Sequence, residues 1–452
     1  MVDCATSPDH HEVPSAICHR FAHGCSVMIE MANRPIIVVG AGVVGLCVAY
    51  DATKRGANVT IVDRDPVGDK ASCGNAGCIA VTEVLPASVP GLWKRVPRWI
   101  LDPLGPLSLR MTHIPRLLPW LWNFARAGSP AEVQRISRAL AALNHRVYRD
   151  LVPLLADIGL SGHLHRKGAL TVYESERGWH AATPGWEAKQ RLGIEVRHLS
   201  GDQARELEPA LGPLVKSAIL TPQWSHVSDP KRVVDCLRSW LTANGARVLA
   251  AQVSRIASSP EGGTVTLADS SVLNASKIVV AAGAWSAELS RQLGDNALLE
   301  SERGYNTTIA APQIALNRTM IFAERNFVAT PLSIGLRIGG AAEFGGLRAS
   351  PNFARSKGLV ELAKAYLPAL DGHGGMVWSG HRPATPDTLP VISRSATHAH
   401  ILYAFGHGHL GLTQGPTTGK LVGDLLSGRD PPISLEPYTI ERFSAAGRTT
   451  SL

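Results

Sequence analysis

The sequence predicts an α/β fold. A discontinuous, Rossmann-like domain is formed from both ends of the chain, and a second, α+β domain contains an antiparallel sheet. Three observations predict this. A strand, a glycine-rich turn and a helix follow one another after residue 35, the same order recurs after residue 400, and short strands with glycine turns fill residues 301–375. The chain of 452 residues also exceeds the usual size of one core.

The first of these elements is the apolar run Pro35–Val39, which predicts a buried strand. Gly40, Gly42 and Gly45 follow it in the spacing G-x-G-x-x-G, and a helix is predicted over Leu46–Arg55. In this motif the first glycine permits a tight turn, the second lets the backbone approach a pyrophosphate, and the third lets the helix pack on the strand. The N–H groups at the start of the helix would bind the phosphates.

A second strand is predicted at Asn58–Val62, and Asp63 follows it. A carboxylate roughly 20 residues after the glycines can bind the hydroxyls of a ribose. The order of strand, glycine turn, helix, strand and acid therefore predicts a dinucleotide site. The motif alone does not distinguish FAD from NAD, and a glycine pattern without a ligand is the alternative.

The other elements are predicted from periodicity, caps and turns. The predicted strands are Gly168–Tyr173, Ala246–Ala250, Thr264–Leu267, Lys277–Ala282, Gly335–Gly340, Phe344–Leu347 and Ile401–Phe405, and the predicted helices are Ser129–Ile158, Thr183–Leu192, Lys231–Asn244, Ser356–Tyr366 and Gln414–Leu426. A small-residue turn at Gly283 marks a place where a strand meets a ligand closely. The nucleotide-binding domain is predicted to comprise residues 34–85, 200–290 and 376–443, and the substrate or cap domain residues 86–199 and 291–375, with 1–33 a disordered extension and 444–452 a tail.

Composition narrows the class of protein. The formal net charge of +8 is spread over the chain without a basic block, which argues against nucleic acid and leaves acidic substrates or an anionic membrane surface as partners. The seven cysteines include no C-x-x-C pair, so no metal site is predicted and reduced thiols in a cytoplasmic protein are expected. Residues 1–33 lack the apolar region of a secretory signal.

The segment 91–126 is unusual because it combines tryptophans, prolines and cations. Its tryptophans are Trp93, Trp99, Trp120 and Trp122. One interpretation is a peripheral contact with the inner membrane, since tryptophan favours the interface and cations meet anionic lipid. The other is a lid packed by tryptophans over the active site, because the prolines interrupt any long interfacial helix.

A set of fragments carries a resemblance to a known family. They are Val38–Gly45, Asp63-Arg64, Ser72–Gly77, Ala281–Ser286, Gly380–Asp387 and Phe405–Thr413. Together they resemble the D-amino-acid oxidase and dehydrogenase superfamily of flavoproteins, and most of all the bacterial D-amino-acid dehydrogenases. The resemblance extends from about Arg34 to Phe443 and implies FAD, a two-domain fold and oxidation of an amine beside a carboxylate.

The same resemblance implies where the cofactor lies. The implied contacts are Gly40, Gly42, Val43, Val44 and Gly45 at the pyrophosphate, Asp63, Arg64 and Val253 at the adenosine, Gly283 in its turn, and Ser72, Asn75, Ala76, Gly77, Gly408, Leu410, Gly411, Leu412 and Thr413 at the flavin. Relatives with covalent flavin use a late cysteine or a histidine near the position of Ser72–Gly77. Here no cysteine follows Cys236 and Ser72–Gly77 has no histidine, so noncovalent FAD is expected.

Four residues are candidates for chemistry on the substrate. Arg382, in G-x-R-P, is the expected clamp, because a guanidinium binds a carboxylate through two parallel hydrogen bonds. Tyr305 would hydrogen-bond that carboxylate or cover the flavin, and His407 and His409 would orient substrate or tune the charge at the flavin. A structural role is the alternative for each of the four.

The expected reaction is oxidative deamination of D-amino acids to 2-oxo acids through an imine, with hydride transfer from Cα to flavin N5. Quinone or another acceptor would take the electrons. Oxidation of D-hydroxyproline or D-proline, or of glycine or sarcosine, is the alternative activity. A nicotinamide-dependent dehydrogenase and a non-catalytic flavin subunit are competing classes. The carboxyl-terminal strand–turn–helix argues against the first of these, and Arg382 against the second.

Overall fold

The structure is a computed structural model that describes residues 35–91 and 107–444. The predicted extension 1–33 and Trp93 and Trp99 lie outside the described residues, as does all of the predicted tail except Ser444.

The described strands, β1 to β21, are Ile36–Val39, Val59–Asp63, Cys78–Ile79, Leu107–Leu109, Leu164–His165, Ala169–Tyr173, Arg197–Ser200, Ser217–Thr221, Ser225–Val227, Arg247–Ala250, Val253–Ser259, Gly262–Leu267, Val272–Ala275, Lys277–Val280, Glu300–Ile309, Thr319–Phe322, Phe327–Leu332, Gly335–Phe344, Met376–Ala384, Val391–Arg394 and Ile401–Phe405. The described helices, α1 to α10, are Val43–Lys54, Ile114–Ala127, Pro130–Asn144, Val147–Asp157, Glu176–Arg191, Gly201–Leu207, Pro230–Ala243, Ser286–Gln292, Ala354–Tyr366 and Gly411–Leu426.

Both ends of the described chain meet in one six-stranded sheet with the order β10-β2-β1-β14-β21-β20. The first five strands in this order are parallel, and β20 runs antiparallel to β21. Val38 of β1 pairs with Val279 of β14, which in turn pairs with Leu402 of β21, and all three side chains are fully buried. The predicted α/β class and the shared sheet are confirmed.

A second, nine-stranded sheet is largely antiparallel and follows the order β19-β15-β18-β17-β16-β6-β8-β7, with β4 paired to β18. It places two segments differently from the sequence-based division, because 217–221 and 376–384 pair here rather than in the six-stranded sheet. The strand at 217–221 pairs with β7 and β6, and the strand at 376–384 pairs with β15, and the residues of neither segment specify these partners. The edge strand β19 carries Arg382 and pairs with β15, which carries Tyr305.

Helices α1 and α10 connect the two ends of the chain through a close contact. Gly419 of α10 lies against the backbone of α1, where a Cβ would overlap the carbonyl group of Cys47. Because neither helix has a bulky side chain at this point, the two can approach closely. Their amino termini thereby open toward the same region, beyond the carboxyl ends of β1 and β21.

Two predicted elements differ from the structure. The single helix expected over Ser129–Ile158 is divided into α3 and α4, because the Arg146 N–H bonds to the carbonyl of Leu143, one residue closer than in an α-helix. The strand expected at Gly335–Gly340 continues to Phe344 as β18, and of the strand expected at Phe344–Leu347 only Phe344 is in a strand. A bulge in the pairing of β18 with β15, with Ala341 at φ +56°, lets the strand continue.

Candidate active site

A cavity of about 1140 Å³ opens beyond the carboxyl ends of the parallel strands. Its lining includes Val39, Asp63, Ala281 and Phe405, which end or follow β1, β2, β14 and β21. Ligands of open α/β sheets bind at this edge. Part of the nine-stranded sheet forms the opposite wall, so the cavity joins the two sheets.

The glycine turn has the geometry that its motif predicts. Gly40 has φ +114°, and a Cβ there would overlap the carbonyl group of Ala281. A Cβ on Gly45 would overlap the carbonyl oxygen of Gly40, so this glycine serves helix packing and does not line the cavity. At Gly42, by contrast, a Cβ would meet only Ser72 Oγ at 3.5 Å. The cavity is thus open to a ligand at Gly42.

Asp63, at the end of β2, lines the cavity as an ionised carboxylate. Oδ2 accepts a hydrogen bond from the Ala41 N–H at 2.7 Å, and Oδ1 accepts from Lys70 Nζ and the Asp65 N–H, both at 2.8 Å. Burial alone would raise the pKa of Asp63, but these three donors outweigh it and hold the pKa below its ordinary value. The carboxylate of Asp63, which is predicted to bind the ribose, is therefore fixed in position and charged.

Most of the predicted cofactor residues are brought together around this cavity. Those that line it are Gly40, Gly42, Val43, Val44, Asp63, Arg64, Ser72, Asn75, Ala76, Val253, Gly283, Gly408, Gly411 and Leu412. Gly45, Gly77, Leu410 and Thr413 are not among its lining residues. Thr413 instead holds the adjoining chain, because its Oγ1 accepts from the Ala80 N–H at 3.0 Å and donates to the Cys78 carbonyl.

Ser72 and Arg64 have contacts that the motif did not predict. Ser72 Oγ accepts from the Val43 N–H at 2.9 Å and so caps one free donor at the start of α1. The guanidinium of Arg64 lies 4.0 Å from the centre of the Trp285 ring. Both members of this cation–π pair line the cavity, and Arg64 directly follows Asp63 in the chain.

A buried arginine that sequence reasoning missed, Arg337 of β18, holds the segment 72–77. Its Nη1 donates to the carbonyls of Cys73 at 3.1 Å and Asn75 at 2.6 Å, and its Nε donates to Thr308. Asn306 adds a 2.8 Å bond from Nδ2 to the Gly74 carbonyl. The only signal in the sequence is a cation between two apolar residues of a predicted strand. Its partners could not be inferred from that.

Arg382, the predicted clamp, lines the cavity but is already paired. Nη1 donates to Glu302 Oε1 at 2.7 Å and to the Ala341 carbonyl at 3.2 Å. Within the described residues, Nε and Nη2 have no hydrogen-bond partner. The guanidinium is therefore anchored at one nitrogen and keeps donors for a ligand, an arrangement that the G-x-R-P pattern did not show.

Tyr305 lines the same cavity, but its hydroxyl is committed to protein groups. It donates to Glu343 Oε2 and accepts from the Asn352 N–H. Burial and the neighbouring Glu343 raise the pKa of this phenol. Of the two predicted roles, donation to a substrate carboxylate is not available in this arrangement, because Glu343 takes the one proton. Covering the flavin remains a prediction.

His407 and His409 both line the cavity on either side of Gly408. His407 is buried, its Nε2 lies 2.9 Å from Thr418 Oγ1, and burial lowers its pKa to about 3. A charged imidazole at this position is therefore disfavoured at neutral pH, which removes the predicted charge-tuning role of His407. The pKa of the His409 imidazole is also lowered, mainly because the protein around it leaves the charged form poorly solvated.

Trp378 is a second residue that sequence reasoning missed. Its indole lines the cavity between Gly74 and Gly380, and a Cβ on either glycine would overlap the ring. The tryptophan thus joins the predicted flavin segment to the strand of Arg382. Two glycines near a tryptophan are too common a pattern to predict such a contact.

Comparison with known proteins agrees with this geometry. The dinucleotide motif and the cavity between the two sheets define a nucleotide-dependent enzyme fold. Residues 35–425 match the DAO family, described as FAD dependent oxidoreductase, and the chain belongs to that family. It is a flavin-dependent oxidoreductase, and the resemblance inferred from the sequence is confirmed.

Two similar proteins and one solved structure illustrate the relationship. A D-amino-acid oxidase of Bradyrhizobium diazoefficiens is 34% identical over 91% of this chain and 99% of its own length. D-amino acid dehydrogenase 2 of Ralstonia nicotianae is 31% identical over 90% of this chain and 100% of its own. Glycine oxidase from Geobacillus kaustophilus has a TM-score of 0.70 at 23% identity, covering 90% of this chain and 98% of that one. At that identity the structure supports the fold alone.

The residues present fit FAD. Gly42 leaves the backbone open to a pyrophosphate, Asp63 places an ionised carboxylate where a ribose is expected, and the segment 72–77 is held along the cavity by Arg337. The donors at the start of α1 and the turn before α10 would hold the phosphates and the flavin respectively. FAD as the cofactor is thus supported by family and by geometry.

Proposed function

We propose that this protein oxidises D-amino acids, giving a 2-oxo acid and ammonia through an imine. The observation that carries the proposal is the Arg382 guanidinium, which lines the FAD cavity with two nitrogens unused by the described residues. A guanidinium in this state is suited to a carboxylate, which it binds through parallel hydrogen bonds. The names of the two curated relatives support an amino acid as the ligand.

The residues of the chain supply position rather than redox chemistry. FAD, when bound, provides the acceptor for the hydride that leaves the substrate Cα. Arg382 would fix the carboxylate, and the Tyr305 and Trp378 rings would limit the access of water to the reacting centre. A fixed carboxylate restricts the orientation of Cα, which is the main contribution that a clamp makes to rate.

The proposal is tested by product analysis with pure enantiomers. The holoenzyme is incubated with D-alanine or L-alanine and an artificial electron acceptor, and pyruvate and ammonia are quantified. We expect equal amounts of the two products from the D enantiomer and a much lower rate with the L enantiomer. Turnover confined to glycine, sarcosine or D-proline would instead favour the alternative activities, and no turnover on any amino acid would refute the proposal.

The electron acceptor and a membrane contact belong to the same proposal. Within residues 35–91 and 107–444, no helix is both long and apolar enough to cross a membrane. Helix α2 and the residues before it nevertheless expose Met111, Leu118 and Trp122, which are 80%, 57% and 67% exposed. Arg126, one turn after Trp122, is exposed on the same helical face, so this surface combines apolar side chains with a cation. Arg116 is exposed on another side of the helix.

We therefore propose that the described part of the segment 91–126 contacts an anionic membrane surface, where a quinone would accept the electrons. Sedimentation with vesicles of anionic or neutral lipid tests the contact. Binding to anionic vesicles that weakens with salt and in Trp122→Ser is expected. If the protein is recovered equally in the supernatant with anionic and neutral vesicles, the membrane contact is refuted and the lid interpretation is favoured. Trp120 already fits a packing role, since it is buried against Phe344.

A further inference from the structure

A second ion pair, formed by Glu83 and Lys189, lies at the wall of the same cavity. Glu83 Oε1 accepts a 3.0 Å hydrogen bond from Lys189 Nζ. The Glu83 side chain is 32% exposed and lines the cavity, whereas that of Lys189 is 10% exposed and does not. The Glu83 carboxylate therefore faces the cavity, and Lys189 lies on the side of Glu83 away from the cavity.

The position of Glu83 is fixed by its backbone. The Glu83 carbonyl accepts from Asn144 Nδ2 at 2.9 Å, and its N–H donates to the carbonyl of Ala80. Ala80 is in turn bonded to Thr413 in the first turn of α10. Lys189 is held as well, since its Nζ lies 4.7 Å from the centre of the Trp186 ring. A carboxylate placed in this way needs little reorganisation to meet a ligand.

Glu83 also keeps an unused acceptor. Among the described residues no group donates to its Oε2, although Oε1 is occupied by Lys189. Burial alone would raise the pKa of Glu83, but Lys189 outweighs this effect and holds the pKa below its ordinary value. At neutral pH the cavity wall therefore carries an anion with one oxygen free to accept from a donor or a cation.

Two neighbours indicate what kind of ligand reaches this oxygen. Arg382, His409 and Glu83 all line the same cavity, and the charges of both the Arg382–Glu302 pair and the Glu83–Lys189 pair influence the pKa of His409. Ala80, on the Glu83 turn, packs in an apolar cluster with Trp224 and Ile321, and all three line the cavity. The one cavity therefore offers a ligand the Arg382 guanidinium, an apolar surface and the Glu83 carboxylate.

The geometry points to a substrate subclass: D-amino acids whose side chain is an aliphatic stem ending in an ammonium or guanidinium group, with Glu83 as the residue that selects them. This inference rests on the proposed function, because it takes Arg382 as the carboxylate clamp. The aliphatic stem would lie on Trp224 and Ile321, and the cation would bind Glu83 Oε2. Glu83 acts here on specificity and takes no part in hydride transfer.

The binding test uses ligands that cannot be oxidised at Cα. The FAD-loaded enzyme is titrated with 6-aminohexanoate or hexanoate, which are lysine and norleucine without their α-amino groups, while the flavin absorption spectrum is followed. We expect 6-aminohexanoate to bind at least about tenfold more tightly, the effect of one charge-assisted hydrogen bond. Equal binding of the two compounds, or tighter binding of hexanoate, would overturn the inference.

Variants connect the preference to Glu83. Glu83→Gln should abolish the difference between the two compounds and retain FAD and hexanoate binding. Lys189→Met should increase the preference for 6-aminohexanoate several-fold, because it removes the cation that competes for the carboxylate, and it serves as the second variant if Glu83→Gln folds poorly. Glu361→Gln, on the exposed side of α9, is the matched control. An unchanged preference in both active variants would refute the role of Glu83.

Turnover separates this inference from the proposed function. The ratio of kcat/KM for D-lysine to that for D-norleucine should exceed one in the unmodified enzyme and fall about tenfold in Glu83→Gln. Oxidation of D-norleucine with a ratio of one or below would overturn the inference while the proposed function stands. Tight binding of 6-aminohexanoate without oxidation of any D-amino acid would refute the proposed function while Glu83 remains a cation-binding residue.

Discussion

Arg382 of β19 and Glu302 of β15 face each other across adjacent antiparallel strands, and Nη1 of the arginine lies 2.7 Å from Oε1 of the glutamate. The side chains are 26% and 21% exposed, so solvent screens the pair only in part. The glutamate fixes one edge of the guanidinium and also competes with any carboxylate ligand for its charge. The two effects can be separated by mutation.

Glu302→Gln keeps an acceptor oxygen for Arg382 but removes the competing charge. We expect kcat/KM for D-amino acids to rise by up to about fivefold, mainly through KM, in line with the small energies of partly exposed ion pairs. Arg382→Met should lower kcat/KM about 100-fold and leave bound FAD unchanged. Steady-state kinetics and the flavin content of the purified variants check both. A tenfold loss in Glu302→Gln would mean that the glutamate is needed to position the clamp.

Gly42 and Gly45 offer a matched pair within one motif. A Cβ at Gly42 would only touch Ser72 Oγ at 3.5 Å, so Gly42→Ala should fold but bind FAD at least about tenfold more weakly, because the methyl group occupies the approach to the pyrophosphate. In Gly45→Ala the methyl group would overlap the Gly40 carbonyl, so we expect loss of folded protein. Circular dichroism and FAD titration distinguish the two. Normal FAD affinity in a folded Gly42→Ala would contradict the predicted phosphate site.

Arg337 is predicted to act on FAD binding through the segment 72–77. Arg337→Met leaves the Cys73 and Asn75 carbonyls without their donor, so we expect weaker FAD binding, a shifted flavin spectrum and a lower thermal midpoint. Arg337→Lys, which can donate to one of the two carbonyls, should bind FAD with an affinity between those of Arg337→Met and the unmodified protein. The surface variant Arg291→Met is the control. Unchanged FAD affinity and spectrum in Arg337→Met would show that the segment holds its position without the arginine.

Buried histidines predict how stability depends on pH. The pKa of His226 is lowered to about 4 by burial, with smaller effects of His165 and Lys167, from an ordinary value of 6.5. His226 therefore takes up a proton near pH 6.5 in the unfolded chain, but only near pH 4 in the folded protein. The free energy of unfolding should fall as the pH decreases through this window.

Removing His226 isolates its contribution. In His226→Gln the slope of unfolding free energy against pH between about 6.5 and 4 should decrease by about 1.4 kcal/mol per pH unit relative to the unmodified protein. Urea unfolding at a series of pH values measures it, with the exposed His180→Asn as control. Parallel curves for His226→Gln and the unmodified protein would show that His226 is not a neutral buried group.

Local patterns were sufficient to predict the nucleotide-binding half of the fold. The strand at Ile401–Phe405 has the predicted bounds, and Asp63 lies at the end of β2 beside the glycine turn. These features are encoded within short stretches by glycine spacing, β-branched runs and caps. The sharing of one sheet by both ends of the chain could be predicted because the two ends have the same element order.

The contacts that define the substrate side could not be read from the sequence. Arg382 and Glu302 are 80 positions apart, and Arg337 is 264 from Cys73, so each contact depends on strand pairing that no local pattern specifies. Tyr305 shows the same limit, since its partner Glu343 follows a bulge in β18. Side-chain type suggested candidates, and only the register determined which of their atoms remained available to a ligand.

The most direct test of the central claim is anaerobic reduction of the FAD-loaded enzyme, followed through the flavin absorption band near 450 nm. The account predicts that stoichiometric D-amino acid bleaches this band, that the L enantiomer does so far more slowly, and that Arg382→Met needs much higher concentrations of the D-amino acid. Bleaching by NADH but by no amino acid would contradict it.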